Sequence, residues 1–226
     1  MILLTGFEPF GGAASNPSAE AAQRAAHELR AAGESAVAVV LPCTFGEATR
    51  HLKAAVRAYE PEAVLAAGVA GGRQRLSLER VAINLIDARI PDNAGAQPID
   101  ESSVPGAPAA YFTRLPIKRM VAQLEAAGLP AEVSHTAGTY VCNDTFFGLM
   151  HAVADRPEMA AGFVHVPEVG TVCPAPAEPG QVPTELYDGV WSVERIARGL
   201  SVVAREALAA ARHPSGDLKV SAGTED

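Results

Sequence analysis

The chain opens on an apolar run, Ile2-Leu3-Leu4-Thr5-Gly6-Phe7, which predicts a short buried strand followed by a turn-rich loop through Gly12. Asn16-Pro17 follows as an N-cap with proline at the first helical position, so an Ala-rich helix is expected to about Ala32, stopped by Gly33. Val37 to Leu41 is β-rich. Thr44-Phe45-Gly46-Glu47 fits a capping box and predicts a helix to about Tyr59. Ala63 to Gly68 reads as a third buried strand, and Leu76 to Ala88 as strand with no helix before it. Strand–helix alternation broken in this way implies a three-layer α/β/α sandwich with a mixed, mostly parallel twisted sheet and helices on both faces.

The second half is less regular. Ile90 to Pro116 is rich in Pro, Asp, Asn and Gly and predicts a long functional loop. Helices are expected over Ile117–Ala127 and from Cys142 to about Val153, and strands over Ala131–His135 and Gly162–Val166. Cys173 to Pro183 is a second Pro-rich loop. Trp191-Ser192 opens the last helix, with Trp191 and Ile196 as a hydrophobic staple, and that helix ends near Arg212. The expected organisation is one catalytic domain over residues 1–212 and a polar, disordered tail over 213–226. No internal repeat or interdomain linker interrupts it.

Charge and cysteine usage narrow the function classes. A net charge of −8 repels phosphate backbones, and no Lys/Arg run overrides it, so nucleic acid is not an expected partner. The apolar stretch Ala63–Gly72 is too short to span a bilayer, and the N-terminus has neither the charged nor the apolar region of a signal peptide. With no membrane anchor expected, the three widely spaced cysteines, Cys43, Cys142 and Cys173, imply free thiols in a reducing cytoplasm. His27-Glu28 begins like a zinc-binding helix, but position 31 is Ala, so no metal site is expected. Gly68-Val69-Ala70-Gly71-Gly72-Arg73 follows a strand and could cradle phosphate at Gly71-Gly72. The alternating Leu76–Val81 stretch after it is strand-like, which favours a close-packed turn.

Ser134 to Asp144 passes from a strand through small residues into a helix, and it places Cys142 at or beside the N-cap. Free N–H groups and the helix dipole there favour a thiolate and can hold an oxyanion. Composition alone fits a structural cysteine as well, as it does for Cys43 and Cys173. His165 ends a strand, where α/β proteins place their sites, and is the candidate base. Glu79 and Asp87 both lie in apolar strand-like sequence, and pattern does not choose which of them orients the histidine.

Three blocks carry a wider resemblance: Leu4–Gly12 with Asn16-Pro17-Ser18, Gly68–Asn84 with Asp87–Asn93, and Ser134–Asn143 with His165-Val166-Pro167. In these the chain resembles the pyroglutamyl peptidase I (pyrrolidone carboxyl peptidase) family of cysteine peptidases over nearly all its length to Arg212. The resemblance implies a Glu79–Cys142–His165 triad that uses no cofactor. It implies a pyroglutamyl pocket built from Phe7, Phe10, Asn16, Val69, Tyr140 and Val141, with Arg89 near the reacting carbonyl. Without it, Phe7 and Phe10 are equally core residues and Asn16 a helix cap. Val69 stands where some relatives carry Gln, and Tyr140 where Phe is common. The implied substrates are pyroglutamyl peptides, and the implied assembly is a homo-oligomer, often a tetramer. A non-catalytic pyroglutamyl-binding relative and a nucleoside or phosphate-transfer enzyme are the competing readings.

Overall fold

The computed structural model describes residues 1–174 and 189–223. Its strands are β1 (Ile2–Phe7), β2 (Ala36–Leu41), β3 (Ala63–Val69), β4 (Leu76–Glu79), β5 (Val81–Ile83), β6 (Ala110–Phe112), β7 (Ala131–Ser134) and β8 (Ala160–Val166). Its helices are α1 (Pro17–Ala31), α2 (Glu47–Tyr59), α3 (Ile117–Ala126), α4 (Val141–Ala152) and α5 (Val193–Arg212). Six strands form one sheet in the order β2-β1-β3-β8-β4-β7. All neighbours are parallel except β4 and β8, which run antiparallel with Ser77 opposite His165. The mixed α/β sandwich expected from the sequence is the architecture found.

The period-2 alternation of the strands builds two cores. Ile2, Leu4, Leu65, Leu76, Leu78 and Val164 face α1, α3 and α5. Leu3, Phe7, Val64 and Phe163 face α2 and α4. By the same alternation Glu79 and His165, one residue out of step with Leu78 and Val164, lie on the α2/α4 side.

Several local expectations change. Asn16 does cap α1, accepting from the Ser18 N–H at 3.0 Å. The capping box at Thr44 does not form: Gly46, with φ of 69°, takes the N-cap position of α2, and the Glu47 carboxylate pairs with Arg50 instead. Asp144 replaces the missing cap by accepting from the Gly46 N–H at 3.1 Å. The stretch Leu76–Ala88 is not one strand. It breaks at Arg80, and β5 leaves the main sheet to pair with β6, which lies inside the expected loop Ile90–Pro116. Helix α4 begins at Val141, one residue before the expected start at Cys142. At α5 the Ser192 side chain accepts from the Arg195 N–H, and Trp191 and Ile196 are both fully buried as a staple requires. The Pro-rich loop from Cys173 lies outside the described residues from 175 on. After Arg212 the chain has no helix or strand through residue 223. Asp217 nevertheless accepts from the Lys118 and Arg119 N–H groups of α3, both at 3.0 Å.

Gly6 sets how closely α1 approaches β1. A β-carbon there would lie 2.4 Å from the backbone carbon and oxygen of Ser18, and backbone cannot rotate away as a side chain can. Gly6→Ala is therefore expected to lower stability by about 2–3 kcal/mol. Urea denaturation with an unchanged midpoint would contradict that packing.

Candidate active site

The C-terminal ends of β1, β3 and β8 meet the N-terminus of α4 around a cavity of about 140 Å3. Phe7, Phe10, Asn16, Val69 and Tyr140 line it, together with Cys142, His165, Cys43 and Ala137. The structure thus gathers seven of the ten residues singled out from the sequence onto one cavity wall. Glu79 touches His165 from behind. Val141 and Arg89 are placed elsewhere: Val141 is fully buried in the α2/α4 core, and the Arg89 side chain is exposed to solvent.

Each element presents its residue for a local reason. The loop before α4 turns at Gly138, with φ of 76°, and Tyr140 is the extended N-cap residue. Cys142 is then the second residue of the helix. The first intrahelical bond runs from the Asp144 N–H to the Tyr140 carbonyl, so the N–H groups of Val141, Cys142 and Asn143 remain free of helical acceptors. Asn143 pins this helix start to β5. Its side chain accepts from the Ile83 N–H and donates to the Ile83 and Leu85 carbonyls, at 2.9 to 3.0 Å. The opposite wall is Gly68 of β3. A β-carbon there would stand 2.8 Å from the Cys142 sulfur and 2.9 Å from the Phe163 ring, so only glycine lets the thiol lie against the sheet.

The acid and the imidazole come from β4 and β8, the antiparallel pair among the described strands of the sheet. Glu79 Oε1 lies 2.7 Å from His165 Nδ1, with the carboxylate fully buried. That contact fixes the ring so that Nε2 is the nitrogen left for chemistry. Asp87 has an exposed side chain and uses its backbone to bind Thr139, so it makes no such contact. Arg73 donates to the same Glu79 oxygen at 2.6 Å. Sequence reading missed Arg73, because its only visible context was the Gly-rich turn. That turn leads into β4 rather than a helix, so Gly71-Gly72 lacks the helix N-terminus a phosphate cradle uses.

Burial governs the resting charges. It pushes the Cys142 thiol well above the ordinary range, with Cys43 and the Glu79 carboxylate adding to the rise and Arg73 opposing it. It pushes His165 below its ordinary value, against the Glu79 pair, which raises it. Both shifts disfavour the charged forms of thiol and imidazole. Desolvation thus opposes the thiolate that the helix start favours.

Two features of the aromatic wall were not legible in the sequence. The Tyr140 hydroxyl donates to the Pro91 carbonyl at 2.9 Å, and the Tyr140 ring packs edge-on against Phe45 and tilted against Phe10. Cys43, read as structural, is a second thiol on the cavity surface, and burial and the nearby Glu8 push it up to about 12. The loop beyond Pro91 is tied to this wall by polar contacts. Asn93 donates to Glu8 and the Pro9 carbonyl, and Asp92 accepts from the Phe45 N–H.

Comparison with known proteins identifies the family. A model of the pyroglutamyl peptidase family matches residues 1–209. The pyrrolidone-carboxylate peptidase of Streptomyces coelicolor is 47% identical over 224 residues, covering 98% of this chain and 97% of that protein. The Gloeobacter violaceus protein of the same name is 48% identical over 195 residues, covering 86% and 94%. Among solved structures, pyroglutamyl peptidase I from Bacillus amyloliquefaciens superposes with a TM-score of 0.81 at 38% identity, covering 97% of this chain and 98% of that one. The pyrrolidone carboxyl peptidase of Thermococcus litoralis gives 0.80 at 34% identity, covering 97% and 98%. The chain belongs to the pyroglutamyl peptidase family.

Proposed function

We propose that this protein is a cysteine exopeptidase that hydrolyses the N-terminal pyroglutamyl residue from peptides through a Cys142 thioester. The observation that carries the reading is the Glu79–His165 pair at 2.7 Å, with His165 and Cys142 opening on the same small cavity.

The pyroglutamyl lactam is flat, uncharged and mostly apolar with one amide edge. The cavity offers aromatic faces from Phe7, Phe10 and Tyr140 and few polar groups, which suits such a ring. A linear N-terminal glutamate would bring an ammonium and a carboxylate into the same space with no partner for either, and it is rejected for that reason.

Chemistry starts from the uncharged thiol and imidazole. His165 takes the Cys142 proton as the sulfur attacks the carbonyl that joins pyroglutamate to the next residue. The N–H groups at the start of α4 receive the oxyanion. The imidazolium, held by Glu79, gives its proton to the leaving amine, and the C–N bond breaks to leave the thioester. Water, deprotonated by His165, then releases pyroglutamate and restores the thiol. Every step is a proton or acyl transfer among these residues, so no cofactor enters. Arg89 is exposed, and a role for it near the reacting carbonyl is supported by resemblance alone. The reading extends to a cytoplasmic enzyme that assembles as a homo-oligomer. No described helix is long and apolar enough to cross a membrane.

A fluorogenic pyroglutamyl amide tests the reaction directly. Cys142→Ser should lower kcat/KM on the order of 10^4-fold and abolish a pyroglutamyl-thioester adduct in the mass spectrum of rapidly quenched enzyme. Unchanged turnover would eliminate the mechanism, and pyroglutamate binding without any wild-type turnover would favour the non-catalytic reading.

The pH profile separates the role of Glu79. Only neutral His165 can accept the thiol proton, and the Glu79 pair raises its proton affinity. Glu79→Gln is therefore expected to shift the acid limb of kcat/KM to lower pH while the plateau falls by roughly 10^3- to 10^4-fold. An acid limb that stays in place would show that Glu79 does not act on His165.

Gly68→Ala tests the seat of the nucleophile. Displacing the sulfur from β3 should reduce kcat by about 10^2-fold, with a far smaller change in the binding of free pyroglutamate measured calorimetrically.

A further inference from the structure

The Gly-rich turn after β3 has no role in the reaction as derived so far, yet it delivers a charge to the centre of the site. The Ala70 N–H bonds to the Val166 carbonyl, Gly72 takes φ of 84°, and the chain doubles back so that Arg73 reaches β4. One guanidinium nitrogen donates to Glu79 Oε1 at 2.6 Å and to Ser134 Oγ at 3.2 Å. The other donates to the Thr136 carbonyl at 2.9 Å, in the turn that leads to Cys142. His165 Nδ1 uses that same Oε1 at 2.7 Å, while Glu79 Oε2 is buried with no hydrogen-bond partner among the described residues. Two donors thus share one oxygen.

Resting on the peptidase reading above, we propose that Arg73 is a positioning residue for the reaction: by sharing Glu79 Oε1 with His165 it fixes the carboxylate and tempers its pull on the imidazolium proton. The balance matters because His165 has opposite tasks in one turnover. It must take a proton from the half-buried Cys142 thiol and then release it to the leaving amine. An unshared buried carboxylate would hold the imidazolium too firmly for the second step. The forked guanidinium can bind the carboxylate and the Thr136 carbonyl together, so it also sets the distance between acid and nucleophile loop.

The groups facing His165 are Glu79 from β4, Arg73 from the turn and Cys142 from α4. Cys43 and Tyr140 are the other titratable residues lining the cavity. Of these, Glu79 raises the proton affinity of His165 and Arg73 lowers it. Loss of Arg73 and loss of Glu79 therefore move the histidine in opposite directions, which a merely structural role for Arg73 does not predict.

The experiment is a pair of pH titrations on Arg73→Met and Arg73→Lys. One follows kcat/KM on a pyroglutamyl amide. The other follows the His165 ring by NMR in the Cys142→Ser background, where turnover plays no part. Arg73→Met is expected to raise the His165 midpoint, and the acid limb with it, by about half a unit or more. It should also lower kcat about tenfold or more. Arg73→Lys keeps the charge and is expected to restore the midpoint to near the wild-type position. A midpoint that is unmoved or lowered in Arg73→Met overturns the proposal, as does an equal shift in both variants. If Arg73→Met does not fold, Arg73→Gln replaces it with the same expected direction. Wild-type protein that hydrolyses no pyroglutamyl amide would overturn the peptidase reading, while the ring titration still decides the place of Arg73.

Discussion

A carboxylate sealed from water between two cations, one permanent and one transient, is the interaction on which the active end of this molecule depends. Glu79 has no exposed surface, and an ion so placed is costly unless its partners are held in good geometry. The surrounding structure supplies that geometry. Strand β4 carries the carboxylate, the Gly-rich turn brings Arg73, and β8 brings His165. None of these three can shift without exposing or unpairing a buried charge, so the electrostatics hold the site rigid.

The sheet topology explains why the carboxylate and imidazole meet at all. In a purely parallel sheet, residues at the carboxyl ends of neighbouring strands all point to one crevice. Here β4 runs against β8, so a residue at its far end sits part-way down the neighbouring strand, beneath the rim. Glu79 therefore supports His165 from below while the other nitrogen of the ring looks into the cavity. The break at Arg80, which sends β5 off to join β6, ends the antiparallel run just beyond that contact. The same excursion lets Asn143 clamp β5 to the start of α4.

How much of this the sequence disclosed follows from the range of each interaction. Strands, helices and the cap at Asn16 rest on neighbours within a few residues, and they were legible. The false capping box at Thr44 shows the limit of that range. Its spacing was right, but Gly46 took the position and the anchoring carboxylate came from Asp144, 98 residues away. The division of Leu76–Ala88 into two strands in different sheets was equally hidden, because both halves are apolar and alternating. Pattern alone did not separate Glu79 from Asp87; the resemblance chose Glu79, and the register of β4 against β8 supplies the physical reason, the 2.7 Å contact with His165. Arg73 and Cys43 left no local signal at all, and their proximity to the site is created wholly by the tertiary fold. Cys142 shows a related limit: the helix start that favours a thiolate is visible in sequence, and the desolvation that opposes it is not.

Asn16 serves two masters. Its side-chain oxygen accepts from the Ser18 N–H and hydroxyl at the head of α1, its amide donates to the Glu8 carbonyl, and the same residue forms part of the cavity wall. A change that reshaped the cavity at this position would also strip a helix of its cap. Drift toward another substrate is thus penalised through folding before it can be rewarded through chemistry. In evolutionary terms the cavity is locked at this wall, and new specificity would have to enter through a lining residue that caps no helix.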